Sequence, residues 1–168
     1  MREVGLIIEL LIAVAVVAVF IQYQRLVKRR YMAVMYMQRL EEPGINWFDT
    51  AGRGFRFAEG NEHLQERCNS LMQGVQEIKP RKAEMMVPLF NEAHGIIREL
   101  LIDHYTKPEI ERLCNELEEQ YKQFSYMVEQ YNRYAGEQNI ILEKPFGRIV
   151  GKIFRTKPLI KLVDFSIL

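Results

Sequence analysis

Metal-binding or acid–base chemistry in this chain would have to be built from His63, His94 and His104, from Cys68 and Cys114, and from the carboxylates Glu116, Glu118 and Glu119. None of the histidines has a glutamate three residues before it, so the Glu-x-x-His pattern of di-iron helical bundles is missing. The cysteines show no CxxC or CxxH spacing and fall on separate apolar stripes, where buried free thiols are expected. HExxH, GxSxG, P-loop and GxGxxG patterns do not occur. The run Glu116, Glu118, Glu119 reads as a solvated helix face. The expectation is a protein that is not an enzyme, with no catalytic, cofactor-binding or metal-binding residues.

The other chemistry on offer is that of cations, and its distribution matters more than its sum. The formal net charge of +1 does not mark a nucleic-acid binder. From Gln22 to Leu40, however, there are Arg25, Lys28, Arg29, Arg30 and Arg39 and no acid. From Ile140 to Leu168 six basic residues face only Glu143 and Asp164, whereas Pro80–Asn139 is acidic, with 11 acids against 7 bases. Clusters of this kind beside an apolar span suit anionic headgroups. Arg25, Lys28, Arg29, Arg30, Arg148, Lys152 and Arg155 are therefore the candidate membrane-surface residues.

The element that would place them is Val4 to Ile21, VGLIIELLIAVAVVAVFI, with Glu9 as its single charge. At 1.5 Å per residue this run covers about 27 Å, close to the thickness of a bilayer's hydrocarbon core. No small-residue cleavage site follows it, so an uncleaved anchor over residues 1–24 is expected. The excess of Arg and Lys after the run puts the bulk of the chain in the cytoplasm of a single-pass cell-membrane protein. Glu9 near the start of the run also raises a pilin or pseudopilin identity. Against it, Glu9 lies four positions after Gly5 where that pattern has five, and no later region alternates like the sheet of a pilin head.

Residues 25–60 read as a basic juxtamembrane segment and then a loop, because residues 41–60 hold four glycines and a proline without sustained periodicity. Their aromatic and basic cluster, Trp47, Phe48, Phe55 and Phe57 with Arg53 and Arg56, is expected to fold onto the domain, with lipid contact as the alternative. Residues 61–139 read as an antiparallel helical bundle. Leu64, Cys68, Leu71, Val75 and Ile78 recur at helical spacing, as do Met86, Leu89, Ala93, Ile96 and Leu100. Pro80 separates the two stripes, and Pro88 is expected to bend the second helix. Thr106-Lys107-Pro108-Glu109 matches a capping box ahead of Ile110, Leu113, Leu117, Tyr121, Phe124, Val128, Tyr131 and Ala135. Short links predict that Leu113, Leu117, Phe124 and Val128 oppose Met86, Leu89, Ile96 and Leu100. Residues 140–168 read as a basic amphipathic segment. If Pro145 opens a helix, Phe146, Ile149, Val150, Ile153 and Phe154 share one face and Arg148, Lys152 and Arg155 the other.

Two stretches carry a family resemblance. Arg81-Lys82-Ala83-Glu84-Met85-Met86-Val87-Pro88-Leu89-Phe90 is similar to a basic pair followed by a Leu-Ile-Pro-Asn-Leu type segment. Tyr131-Asn132-Arg133-Tyr134-Ala135-Gly136-Glu137-Gln138-Asn139, with Lys144-Pro145 and Ile149 to Pro158 after it, resembles a YNxxVxxYN helix end and its tail. Both resemble the LemA family, membrane-anchored helical proteins of bacteria. The resemblance implies an all-α, elongated antiparallel bundle, with the last helix folding back to close it, and carries no catalytic residues with it. The expected role is a membrane-tethered helical adaptor or scaffold, contacting lipids through its anchor and a protein partner the sequence does not name. Nucleic acid is not expected, and pairing with a second copy stays open. The alternatives are a pilin-like subunit, an enzyme regulated at the membrane and a lipid-responsive surface module.

Overall fold

A computed structural model describes residues 2–77, 83–104 and 108–162, apart from the side chains of residues 2, 77, 83–87, 103 and 104. Ile78, Pro80, Arg81, Lys82, Thr106 and Lys107, the tail beyond Leu162 and the side chains of Met86 and His104 thus lie outside the description. The described residues form six α-helices and no strand: α1 (Arg2–Arg39), α2 (Glu41–Phe55), α3 (Glu62–Glu77), α4 (Ala83–His104), α5 (Pro108–Glu143) and α6 (Pro145–Ile153). A single 3-10 turn, Arg56–Ala58, follows α2. Contacts divide the described residues into two compact units, 2–35 with Tyr131–Lys161, and those of 36–130 with Leu162.

The second unit is an antiparallel helical packing whose registers follow from its cross-helix contacts. Arg67 pairs with Glu99 at 2.8 Å, and Gly74 approaches Leu89, so α3 and α4 run in opposite directions. The ring contacts Phe90–Phe124 and His94–Tyr121 set α4 against α5 in the same sense. Buried Leu64, Cys68 and Leu71, then Phe90, Ala93, Ile96, Ile97 and Leu100, then Ile110, Leu117, Phe124 and Val128 are the helical stripes read from the sequence. Leu89 and Leu113 are half-buried. Pro88 lies inside α4, and the helix runs on to His104.

The segment 41–60 corrects the loop expected there. Residues 41–55 form α2, with Pro43 in its first turn, where the missing N–H costs nothing. Gly52 and Gly54 sit where neighbouring helices come close. A Cβ on Gly54 would lie 2.7 Å from Leu113 Cδ2, and one on Gly52 would lie 3.3 Å from Met72 Cε. Trp47, Phe48, Ala51 and Phe55 are buried, and the Trp47 indole N–H donates to the Leu117 carbonyl at 3.2 Å. Arg53 on the outer side and buried Thr50 reach Glu116, Arg53 at 2.6 Å, and the order Trp47 on Leu117, Gly54 on Leu113 makes α2 antiparallel to α5.

The first unit pairs α1 with the last part of α5. From Glu3 to Val17 every residue of α1 is exposed, and the helix is long and apolar enough to cross a membrane. Burial begins at Ala18 and Val19, and Leu26 and Ala33 are fully enclosed. Leu26 clusters with Leu142, and one turn further along α1 Arg29 pairs with the earlier Glu137 at 2.8 Å, so α1 and α5 are antiparallel here too. Helix α5 continues through Gly136 to Glu143, past the helix end expected near Asn139.

Candidate functional site

Helix α6 positions most of the candidate cations. Lys144 is extended (φ −69°, ψ 143°) and Pro145 opens the helix, as expected for proline in a first turn. Of the shared apolar face, Val150 is the residue turned fully inward. Gly147, Val150 and Gly151 are buried, whereas Phe146, Ile149, Ile153 and Phe154 are 37%, 54%, 60% and 43% exposed. The reason is backbone proximity. A Cβ on Gly147 would overlap the Ile141 carbonyl, so a glycine there lets α6 lie this close to α5, while one on Gly151 would lie 2.6 Å from Leu142 Cδ2, the flexible end of a side chain. Val150 completes a cluster with Leu26 and Leu142, flanked by Val19, Tyr23 and Ile141. The Tyr23 and Phe154 rings meet at 4.0 Å. Phe146, Ile149 and Ile153 are thereby left on the outer surface of α6, and Phe154 just beyond it is covered on one side by Tyr23.

The helix stops by a left-handed cap. Arg155 has φ 51°, Phe154 N–H donates to Val150 and Thr156 N–H donates to the Gly151 carbonyl at 2.8 Å, satisfying carbonyls that the helix end would otherwise leave open. The chain then runs back along α5 without regular secondary structure. Gln138 donates to the Lys157 carbonyl at 2.9 Å, and Tyr131 Oη to the Ile160 carbonyl at 2.6 Å. Asn139 takes both groups of Leu159, donating to its carbonyl at 2.8 Å and accepting from its N–H at 2.9 Å. Tyr131, Gln138 and Asn139, singled out as a helix-end motif, therefore serve as a clamp on residues 157–160. Asn139→Leu is expected to strand both Leu159 groups. Hydrogen exchange at the Leu159 amide should then quicken by roughly tenfold or more, from about 1–3 kcal/mol of lost hydrogen bonding. Unchanged exchange would mean that the clamp does not hold the tail.

Two basic clefts result. One, of about 460 Å³, lies between α6 and the tail and is lined by Arg148, Lys152, Arg155 and Lys157 around Leu142, Gly151, Thr156 and Pro158. The other, of about 440 Å³, lies between α1 and α5 and is lined by Gln22, Arg25, Arg29, Glu137, Ile140, Ile141 and Lys144. The structure thus brings Arg148, Lys152 and Arg155 together, and Arg25 with Arg29. Lys28 and Arg30 are exposed on α1 and line neither cleft. Sequence reasoning did not single out Lys144, Lys157 or Glu137 as site residues. The basic composition of residues 140–168 signals the two lysines, but nothing local signals Glu137.

The second unit holds a partly open pocket of about 220 Å³ between α2, α4 and α5, lined by Trp47, His94, Ile97, Arg98, Leu101, Cys114, Leu117, Glu118 and Tyr121. Burial pushes the Cys114 thiol up, which keeps it protonated and a poor nucleophile. Burial, and then the Arg98 guanidinium, hold His94 below the ordinary histidine range, while Lys122 holds Glu118 below the usual carboxylate range. His94 is thus neutral in the folded unit, and the unfolded chain binds its proton first. The stability this contributes is complete above the unfolded value of about 6.5 and declines as pH falls through it toward the folded value. The thermal midpoint should therefore drop more for the wild type than for His94→Gln between about pH 7.5 and pH 5.5. Parallel curves would count against a proton-linked role for His94.

Among the described residues no three His, Cys, Asp or Glu side chains gather as a metal site, and Cys68 and Cys114 are free. No family description, characterised protein or solved structure matches this chain.

Proposed function

We propose that this chain is a single-pass membrane protein whose cytoplasmic helical body serves as an adaptor or scaffold, held to the inner leaflet at two points. The observation that carries the reading is the position of α6. It packs through Val150 on Leu26, beside Val19 and Tyr23, where the exposed apolar run of α1 gives way to Gln22 and Arg25. With α1 across the bilayer, α6 lies at the headgroup boundary. Phe146, Ile149, Ile153 and Phe154 then meet lipid, and Arg148, Lys152 and Arg155 meet phosphate. Each basic residue near an anionic surface contributes about 1 kcal/mol, so the three together exceed what a single exposed ion pair gives. The positive flank after the span favours a cytoplasmic body. The resemblance of the Tyr131–Asn139 stretch to LemA-family proteins, themselves membrane-anchored, supports the same reading.

Carbonate washing of membranes should leave the full chain in the pellet, and a reporter fused at the C-terminus should read cytoplasmic. In reconstituted vesicles, a lipid bearing a photoactivatable group should label α1 between Val4 and Ile21 and also label α6. Labelling of α1 with none on α6 sinks the second attachment point. Extraction by carbonate sinks the anchor.

A further inference from the structure

We infer that the cleft between α1 and α5 binds the phosphodiester of an anionic phospholipid, a proposal that rests on α1 being the membrane span. Gln22, Arg25 and Arg29 are spaced three and four apart and share one stripe of α1, and they line the cleft opposite Lys144 and Ile140. Arg25 lies four residues past Ile21, the last of the apolar run, so it stands about 6 Å beyond the hydrocarbon edge. A headgroup layer is about 5–8 Å deep on each side of a bilayer, so this is phosphate depth.

The charges are not all spoken for. Arg29 is paired with Glu137, but Arg25 and Lys144 are exposed and form no ion pair with a described residue. A cleft with three cations and one carboxylate keeps a net positive charge that a phosphodiester would balance. The Arg25 guanidinium offers a paired donor geometry to phosphate oxygens, and Lys144 a point charge. The rest of the cleft explains why the anion would come on a lipid. Ile140, 55% exposed, lies beside Lys144, and Val14, Val17 and Ile21 continue the Arg25 stripe toward the membrane, all exposed. A phosphate held between Arg25 and Lys144 thus has an apolar track for its acyl chain, whereas a free anion gains nothing from that track.

The test uses the full chain, exchanged in neutral detergent with equal phosphatidylglycerol and phosphatidylcholine, with retained lipid counted by native mass spectrometry. The wild type should keep phosphatidylglycerol in preference. Arg25→Gln/Lys144→Gln should lose that preference by roughly tenfold or more, given two charges removed. The charge-preserving Arg25→Lys/Lys144→Arg should retain most of it, and so should Arg39→Gln/Arg112→Gln, which removes two exposed cations elsewhere. The site is overturned by equal retention of both lipids, by an equal loss in the Arg39/Arg112 variant, or by displacement of the lipid by inorganic phosphate alone. A chain that resists carbonate yet shows no lipid preference refutes this cleft and leaves the anchor standing. A chain that carbonate extracts refutes both.

Discussion

Replacing Phe90 by alanine is expected to cost the second unit about 3–5 kcal/mol, the range for a large aromatic removed from a close-packed core. Phe90 is 1% exposed and its ring is held on three sides. It stacks on Trp47 at 4.3 Å and 27° and on Phe124 at 4.2 Å and 15°, and it meets Phe48 at 4.8 Å and 64°. Each aromatic pair is worth about 0.5–1.5 kcal/mol beyond the area it buries, and one truncation breaks three of them. The gap would fall where α2, α4 and α5 meet. Urea unfolding of the full chain in detergent, followed by Trp47 fluorescence, should show the loss as a lowered midpoint. Phe90→Leu, which refills part of the volume, should show a smaller one. A change below about 1 kcal/mol for Phe90→Ala would contradict the packing described.

A second large effect is expected at Gly147, where a methyl group cannot be added without moving a backbone. Its Cβ would overlap the carbonyl of Ile141, and a main-chain atom cannot rotate aside as a side chain can. Gly147→Ala should therefore lift α6 from α5 and open the Leu26–Leu142–Val150 cluster. Gly151→Ala is the informative contrast, since there the new atom meets the flexible end of Leu142. Tryptic cleavage after Arg148 and Lys152 should accelerate tenfold or more in Gly147→Ala, equivalent to about 1.4 kcal/mol of opening free energy. It should change far less in Gly151→Ala. Equal rates in the two variants would mean that the close approach is not what seats the helix.

Much of the architecture could be read because periodic burial leaves a periodic record. The stripes through Leu64, Cys68 and Leu71, through Ala93, Ile96 and Leu100, and through Leu117, Phe124 and Val128 are buried as their spacing requires. The apolar run of α1 was equally plain, being a matter of length and composition. Helix α2 was not, because Gly44, Gly52 and Gly54 count as breakers in a local reading. Each costs about 1 kcal/mol of helix propensity relative to alanine, a cost that tertiary packing offsets. The signal that could have found it was Trp47, Phe48, Ala51 and Phe55 at helical spacing after Pro43. At α6 the sequence shows which residues share the apolar face but not which side packs, because the inward face is set by Gly147 and Gly151, where two backbones come close. As for the two basic clefts, the cations were visible in the sequence, but their grouping depended on which turns of α1 and α5 face each other. That register is set by distant pairs such as Arg29 with Glu137.

The clamp on residues 157–160 has an evolutionary consequence. Tyr131, Gln138 and Asn139 grip amide groups that every residue except proline possesses, and the one proline, Pro158, stands where no N–H is used. What is recognised is therefore the path of the chain and not the identity of its side chains. A change at the exposed Ile160 leaves the grip intact, whereas a change at Tyr131, Gln138 or Asn139 removes part of it. The tail of such a protein can diverge until it aligns with nothing and still follow the same route home.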